Sequence, residues 1–188
     1  MRLVLFTTSY PYDAAVEQPF IGRELSYLAK YFEEIILIPK TCEGKKLPTP
    51  IPVKVEEGLC HTIKLRKNSL ADKIFNVLLS RSFHREVLTR PSSILSPPKF
   101  RGLITFVSQA ELIRGLTEEW IQQSGINIHE TLFYTYWFMQ GAMGVGLVKR
   151  KFPGLRLVSR AHGFDVYEER VRPSYWPCRP EALGALDK

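Results

Sequence analysis

The segment Arg160-Ala161-His162-Gly163-Phe164-Asp165 carries the most suggestive chemistry in the chain. An imidazole can donate, accept or shuttle a proton near neutral pH. Gly163 follows it, and a residue without a side chain lets a backbone come close. Asp165, three residues on, could orient the imidazole or a substrate hydroxyl, or do no more than cap a short helix. We take His162 and Asp165 as candidate catalytic residues, and Arg160 and Gly163 as substrate-binding neighbours.

Two further segments have unusual residue types. Thr8-Ser9-Tyr10-Pro11-Tyr12 leads into Glu17-Gln18-Pro19-Phe20 at an expected helix start. Backbone N–H groups there attract anions, which makes Ser9, Tyr10, Glu17 and Gln18 candidate ligand-binding residues. Glu17 also suits the positive end of a helix dipole, an effect of only about a few tenths of a kcal/mol. A plain loop and a ligand loop both fit. The segment is not a phosphate-binding Walker loop and lacks the dinucleotide glycine fingerprint. The second segment is Tyr134-Thr135-Tyr136-Trp137. Aromatic rings with polar tips can line a sugar or lipid site. Tyr134 reads as packing under the following helix, while Tyr136 and Trp137 fit packing and ligand contact equally. Gly141, Gly144 and Gly146 fall in a helical pattern and read as close packing against a strand.

The elements that must hold these residues follow from periodicity. Arg2–Thr7, Glu34–Ile38, Thr131–Trp137 and Leu155–Ala161 are apolar, β-prone runs of buried-strand type. Ile21, Leu25, Leu28 and Phe32 give Glu17–Phe32 one apolar stripe. Val53–Val55 and Thr62–Leu65 read as short strands around Gly58, and Leu70–Leu88 as one helix whose apolar residues face the core. Prolines 91, 97 and 98 mark 90–102 as a break, with a helix from about Gln109 to Ser124 ended by Gly125. Met139–Lys151 is a further helix, stopped by Phe152-Pro153-Gly154. Strand, helix, strand, repeated, predicts a Rossmann-like parallel sheet with helices on both faces. Ligands of such sheets collect at the carboxyl ends of the strands, where all three segments fall.

Composition narrows the class. With 45% hydrophobic and 24% charged residues among 188, a single folded domain is expected. Cys42, Cys60 and Cys178 are scattered and odd in number, which argues against a disulfide framework and a zinc site and for a reducing compartment. No metal or other cofactor is expected. The N-terminal apolar run is too short for a signal peptide or a span, so the expectation is a cytoplasmic protein, soluble or on a membrane surface. Between Lys64 and Arg101 stand nine basic residues and two acids, an excess of +7 that equals the chain's net charge. That localised field, from Arg66, Lys67, Lys73, Arg81 and Arg85 among others, points to one anionic surface. A pI near 9.4 alone is weak evidence for nucleic acid, and no recognition motif supports that partner.

TSYPY…EQPFIGREL, TYW before a helix, and SRAHGFDVYEER together resemble glycosyltransferase family 4, in the type that builds exopolysaccharide, capsule or colanic acid. The resemblance spans nearly the whole chain, and HGFDVYEER with the following Pro-Ser-Tyr-Trp-Pro is its most specific part. It implies one half of a GT-B enzyme, the acceptor-side domain, across residues 1–188. The basic excursion at about 64–101 would face the inner leaflet of a membrane, and the tail from about 170 would lead toward a donor-binding domain this sequence does not contain. It implies retaining transfer from a nucleotide sugar to a lipid-linked or polysaccharide acceptor, with little activity in the half alone. His162 maps onto the family histidine near the donor sugar, and Asp165 onto its partner. Asp13-Ala14-Ala15 departs from the glycine-rich loop of many relatives. The competing expectation is a non-catalytic module that binds anionic lipid or glycan.

Overall fold

The structure is a computed structural model that describes residues 1–66 and 70–187. Among them five strands form one all-parallel sheet in the order β3-β2-β1-β4-β5. The strands are β1 Arg2–Thr7, β2 Glu34–Pro39, β3 Lys54–Val55, β4 Thr131–Thr135 and β5 Arg156–Ser159. The helices are α1 Gln18–Leu28, α2 Gly58–Arg66, α3 Leu70–Leu78, α4 Arg81–Thr89, α5 Ser92–Leu95, α6 Pro97–Ser124, α7 Gln140–Val148, α8 Gly163–Val166 and α9 Arg179–Gly184.

Alternation along β1 and β2 assigns the two faces. Leu3, Leu5, Ile35 and Leu37 pack on Ile21 and Leu25 of α1. Val4, Phe6, Ile36 and Ile38 pack on the other side against α2, α6 and α7 through Leu59, Ile63, Ile113 and Val145. The expected Rossmann-like architecture with helices on both faces is what the chain adopts. Gly125, at φ +64°, ends α6 in the left-handed conformation that glycine takes at least cost.

Several local expectations give way to packing. Thr62–Leu65 is helix, not strand: Leu59 and Ile63, four residues apart, cover the sheet from one face of α2. The helix expected over Leu70–Leu88 is two. Ser80 is extended, its Oγ accepts the Phe83 N–H at 3.3 Å to cap α4, and it donates to Glu111 Oε1 at 2.7 Å. Pro97 and Pro98 begin α6 instead of breaking the chain, because the first turn of a helix needs no N–H from them. That helix has 28 residues, about 42 Å of rise.

The cysteine reading is corrected outright. Cys42 and Cys60 form a disulfide with Cα atoms 6.0 Å apart, and Cys178 is a buried thiol. The helical turn at Gly58 carries Cys60 to the loop after β2, a meeting that an odd cysteine count does not exclude. The count therefore gives no argument for a reducing compartment.

The three glycines of α7 differ in use. A Cβ on Gly144 would stand 2.7 Å from the Ala110 carbonyl oxygen and 2.8 Å from Ile113 Cβ, so α6 and α7 touch there. At Gly146 it would meet Ala185 Cβ at 2.7 Å, and at Gly141 nothing within 4 Å. Gly144→Ala is expected to destabilise the fold by about 1–3 kcal/mol in denaturant unfolding, with Gly141→Ala close to neutral. Equal midpoints for the two variants would contradict this packing.

Candidate functional site

The chain runs outward from β1 through β2 and β3, then returns to β4 on the other side of β1. The switch point of the sheet therefore lies between the carboxyl ends of β1 and β4. A cavity of about 200 Å³ opens there, lined by Thr7, Thr8, Pro39, Thr135, Trp137 and Gly141 among others.

The loop leaving β1 is closed from within. Glu17 is 0% exposed, and its Oε1 accepts the N–H groups of Thr8 at 2.7 Å, Ser9 at 2.9 Å and Tyr10 at 3.3 Å. These are donors that an anionic ligand would need. A carboxylate of the chain itself fills that place, so Glu17 does far more than complement a dipole. Ser9 and Tyr10 are buried, and Gln18 is exposed.

Asp165, 1% exposed, closes the other two exits. Its Oδ2 accepts the Phe138 N–H at 2.9 Å, just past β4, and its Oδ1 accepts the His162 N–H, just past β5. The ring is its looser partner: His162 Nδ1 lies 3.7 Å from Oδ2, within ion-pair reach when the imidazole is protonated, and is buried without a hydrogen bond among the described residues. Asp165 therefore fixes His162 through the backbone and also caps α8.

Aromatic rings position the imidazole instead. Its centroid lies 4.1 Å from Trp137 at an interplanar angle of 36°, and 5.2 Å from Tyr136. Phe164 meets Trp137 edge-on at 5.7 Å. The Trp137 indole N–H is buried without an acceptor, as is His162 Nδ1. The histidine side chain remains 27% exposed. Tyr136 is buried, and Trp137 lines the cavity.

Arg160 is engaged within the fold. It pairs with Glu24 of α1, and its guanidinium lies 5.3 Å from the Tyr136 ring centroid. Glu24 also accepts the Tyr134 hydroxyl at 2.9 Å. Burial, then the Glu24 carboxylate, push the Tyr134 phenol up from its ordinary value. Beside Gly163, Arg170 Nη1 stands 2.6 Å from where a Cβ would be. The structure thus gathers His162, Asp165, Trp137 and Tyr136 at one rim. It places Arg160 with Glu24 and holds Glu17, Ser9 and Tyr10 inside the β1 loop. Glu24 was missed, since a polar position on α1 gives no local sign of a partner 136 residues away.

Of the basic candidates, Arg81 and Arg85 are exposed and Lys73 is half-buried. Lys67 and the Arg66 side chain lie outside the described residues. Among the described residues no group of three or more His, Cys, Asp and Glu side chains is arranged to hold a metal ion.

No protein-family model, no curated protein and no solved structure matches the chain.

Removing the Glu17 carboxylate orphans three loop N–H groups, two of them on buried residues. Glu17→Ala is expected to lower unfolding free energy by about 3 kcal/mol or more, and Glu17→Gln, which keeps an acceptor oxygen, by less. Denaturant unfolding reads the difference. Wild-type stability in Glu17→Ala would show that the carboxylate does not hold the loop.

Proposed function

We propose that the chain is the acceptor-side half of a retaining glycosyltransferase. It would act with a donor-binding domain to move sugar from a nucleotide sugar to a lipid-linked or polysaccharide acceptor. The observation that supports this most is the close, tilted Trp137–His162 ring pair at the switch-point rim, each ring with a buried nitrogen that has no hydrogen bond among the described residues. Buried polar groups are normally hydrogen-bonded, and exceptions concentrate where a ligand completes them. An indole face offers an apolar plane to a sugar ring, while an imidazole offers a donor or acceptor to its hydroxyls.

The closed β1 loop fits the same division of labour. With its N–H groups held by Glu17, this rim suits hydroxyl-rich sugar better than a diphosphate. The resemblance assigns the nucleotide diphosphate to the other domain. His162 would hydrogen-bond the donor sugar as positive charge develops at its anomeric carbon, and Asp165 would keep the histidine in place through the main chain.

With a family donor-binding domain fused after the tail, the chain is expected to transfer sugar, and His162→Ala to lower the rate by about 10²–10⁴-fold. Full activity in that variant would remove His162 from the mechanism.

One observation favours a second reading, a module that binds anionic lipid at a membrane surface. The apolar residues of α3 were expected to face the core, yet Ile74 is 50%, Phe75 65%, Leu78 60% and, just past the helix, Leu79 65% exposed. Val77 alone of this set is buried, against Leu103 and Phe106 of α6. A contiguous apolar surface beside basic residues is what interfacial helices carry. No helix among the described residues is long and apolar enough to cross a membrane. Co-sedimentation is expected to rise with the anionic lipid content of vesicles and to fall with added salt. Equal recovery on neutral vesicles would exclude the electrostatic part.

A further inference from the structure

A second cavity, of about 330 Å³, lies between the β2 exit, α2, α3 and α6. Lys40, Lys64, Lys73, His61 and Ser108 line it, and among the described residues Glu43 is the one carboxylate in its lining. Lys40 is fixed there, its ammonium donating to Gln109 Oε1 at 3.0 Å. Several ammonium groups around a pocket with a hydroxyl favour a compact, multiply charged anion over the planar, forked partner that a guanidinium selects.

Two relations give the cavity its meaning. First, α3 is bifacial. Lys73 and Asn76 line the cavity, while Ile74, Phe75 and Leu78 of the same helix are exposed. One helix thus joins an anion pocket to an apolar outer surface. Second, the cavity abuts the switch-point cavity, for Lys40, Ile63 and Ile113 line both.

We infer that this cavity binds the phosphate headgroup of a lipid, with the apolar part of that lipid, still in its bilayer, against the outer face of α3. The oxygens of a terminal phosphate meet the ammonium groups of Lys64 and Lys73. The inference rests on the membrane-bound reading above and deepens it. It does not depend on sugar transfer.

The test uses the full chain and vesicles matched in surface charge, one set with phosphatidic acid, whose phosphate is terminal, the other with phosphatidylglycerol. Wild type is expected to bind the phosphatidic acid set more tightly. Lys64→Gln with Lys73→Gln should cost about thirtyfold on that set and erase the preference. Arg81→Gln with Arg85→Gln removes the same charge from outside the cavity and should keep the preference. Phe75→Ser with Leu78→Ser should lose vesicle binding yet retain calorimetric binding of free pyrophosphate. Equal binding of wild type to both vesicle sets would overturn the proposal, and so would identical behaviour of the two double charge variants. Pyrophosphate binding by a wild type that ignores all vesicles would overturn the lipid source. Full activity in His162→Ala would sink the transfer mechanism and leave these vesicle results unaltered, so the two readings fail separately.

Discussion

A parallel sheet delivers its strand ends to one edge, and there the backbone N–H groups of the departing loops need acceptors. Two buried carboxylates answer that need here. Glu17 takes three N–H groups from the loop after β1, and Asp165 takes one each from the loops after β4 and β5. Charge-assisted hydrogen bonds of this kind are about twice as strong as neutral ones, and buried donors left unmade are costly. The positions of Trp137 and His162 follow, because both belong to loops that Asp165 holds. So does the chemical character of the rim, where the backbone N–H groups of the β1 loop are already held by Glu17. Basic side chains gather instead around the neighbouring cavity between α2, α3 and α6.

Much of this was legible in the residues. β1 and β2 carry near-continuous apolar runs because both faces of the parallel sheet are covered there. His162 and Asp165 stood out through their position at the end of an expected strand. Other features depend on distance in space. That Glu17 is a loop acceptor is set by a fold-back of seven to nine residues, and the Glu24–Arg160 pair by strands and helices far apart in the chain. The ammonium-lined cavity draws on four separate segments, none of which has a motif. Thr62–Leu65 is β-prone by composition, but Leu59 and Ile63 cover the sheet only if that stretch is helical.

Helix α3 teaches a different lesson about periodicity. A 3.6-residue pattern reveals that a helix has an apolar side but not which way that side faces. The usual inference, that it faces the core, assumes the core needs it. Here α6 already covers the sheet, and α3 contributes Val77 while its broader apolar side remains outside. The basic residues around it carry the excess charge of the chain, so the outward orientation and the field occur together.

The double grip of Asp165 has a mechanical consequence. One side chain carries Phe138 on one oxygen and His162 on the other. If the β4 loop shifts by an ångström, the β5 loop must follow or give up a buried bond. The rim therefore moves as one jaw. A load on the Trp137 loop would reach the His162 loop through that one carboxylate, without any change in charge.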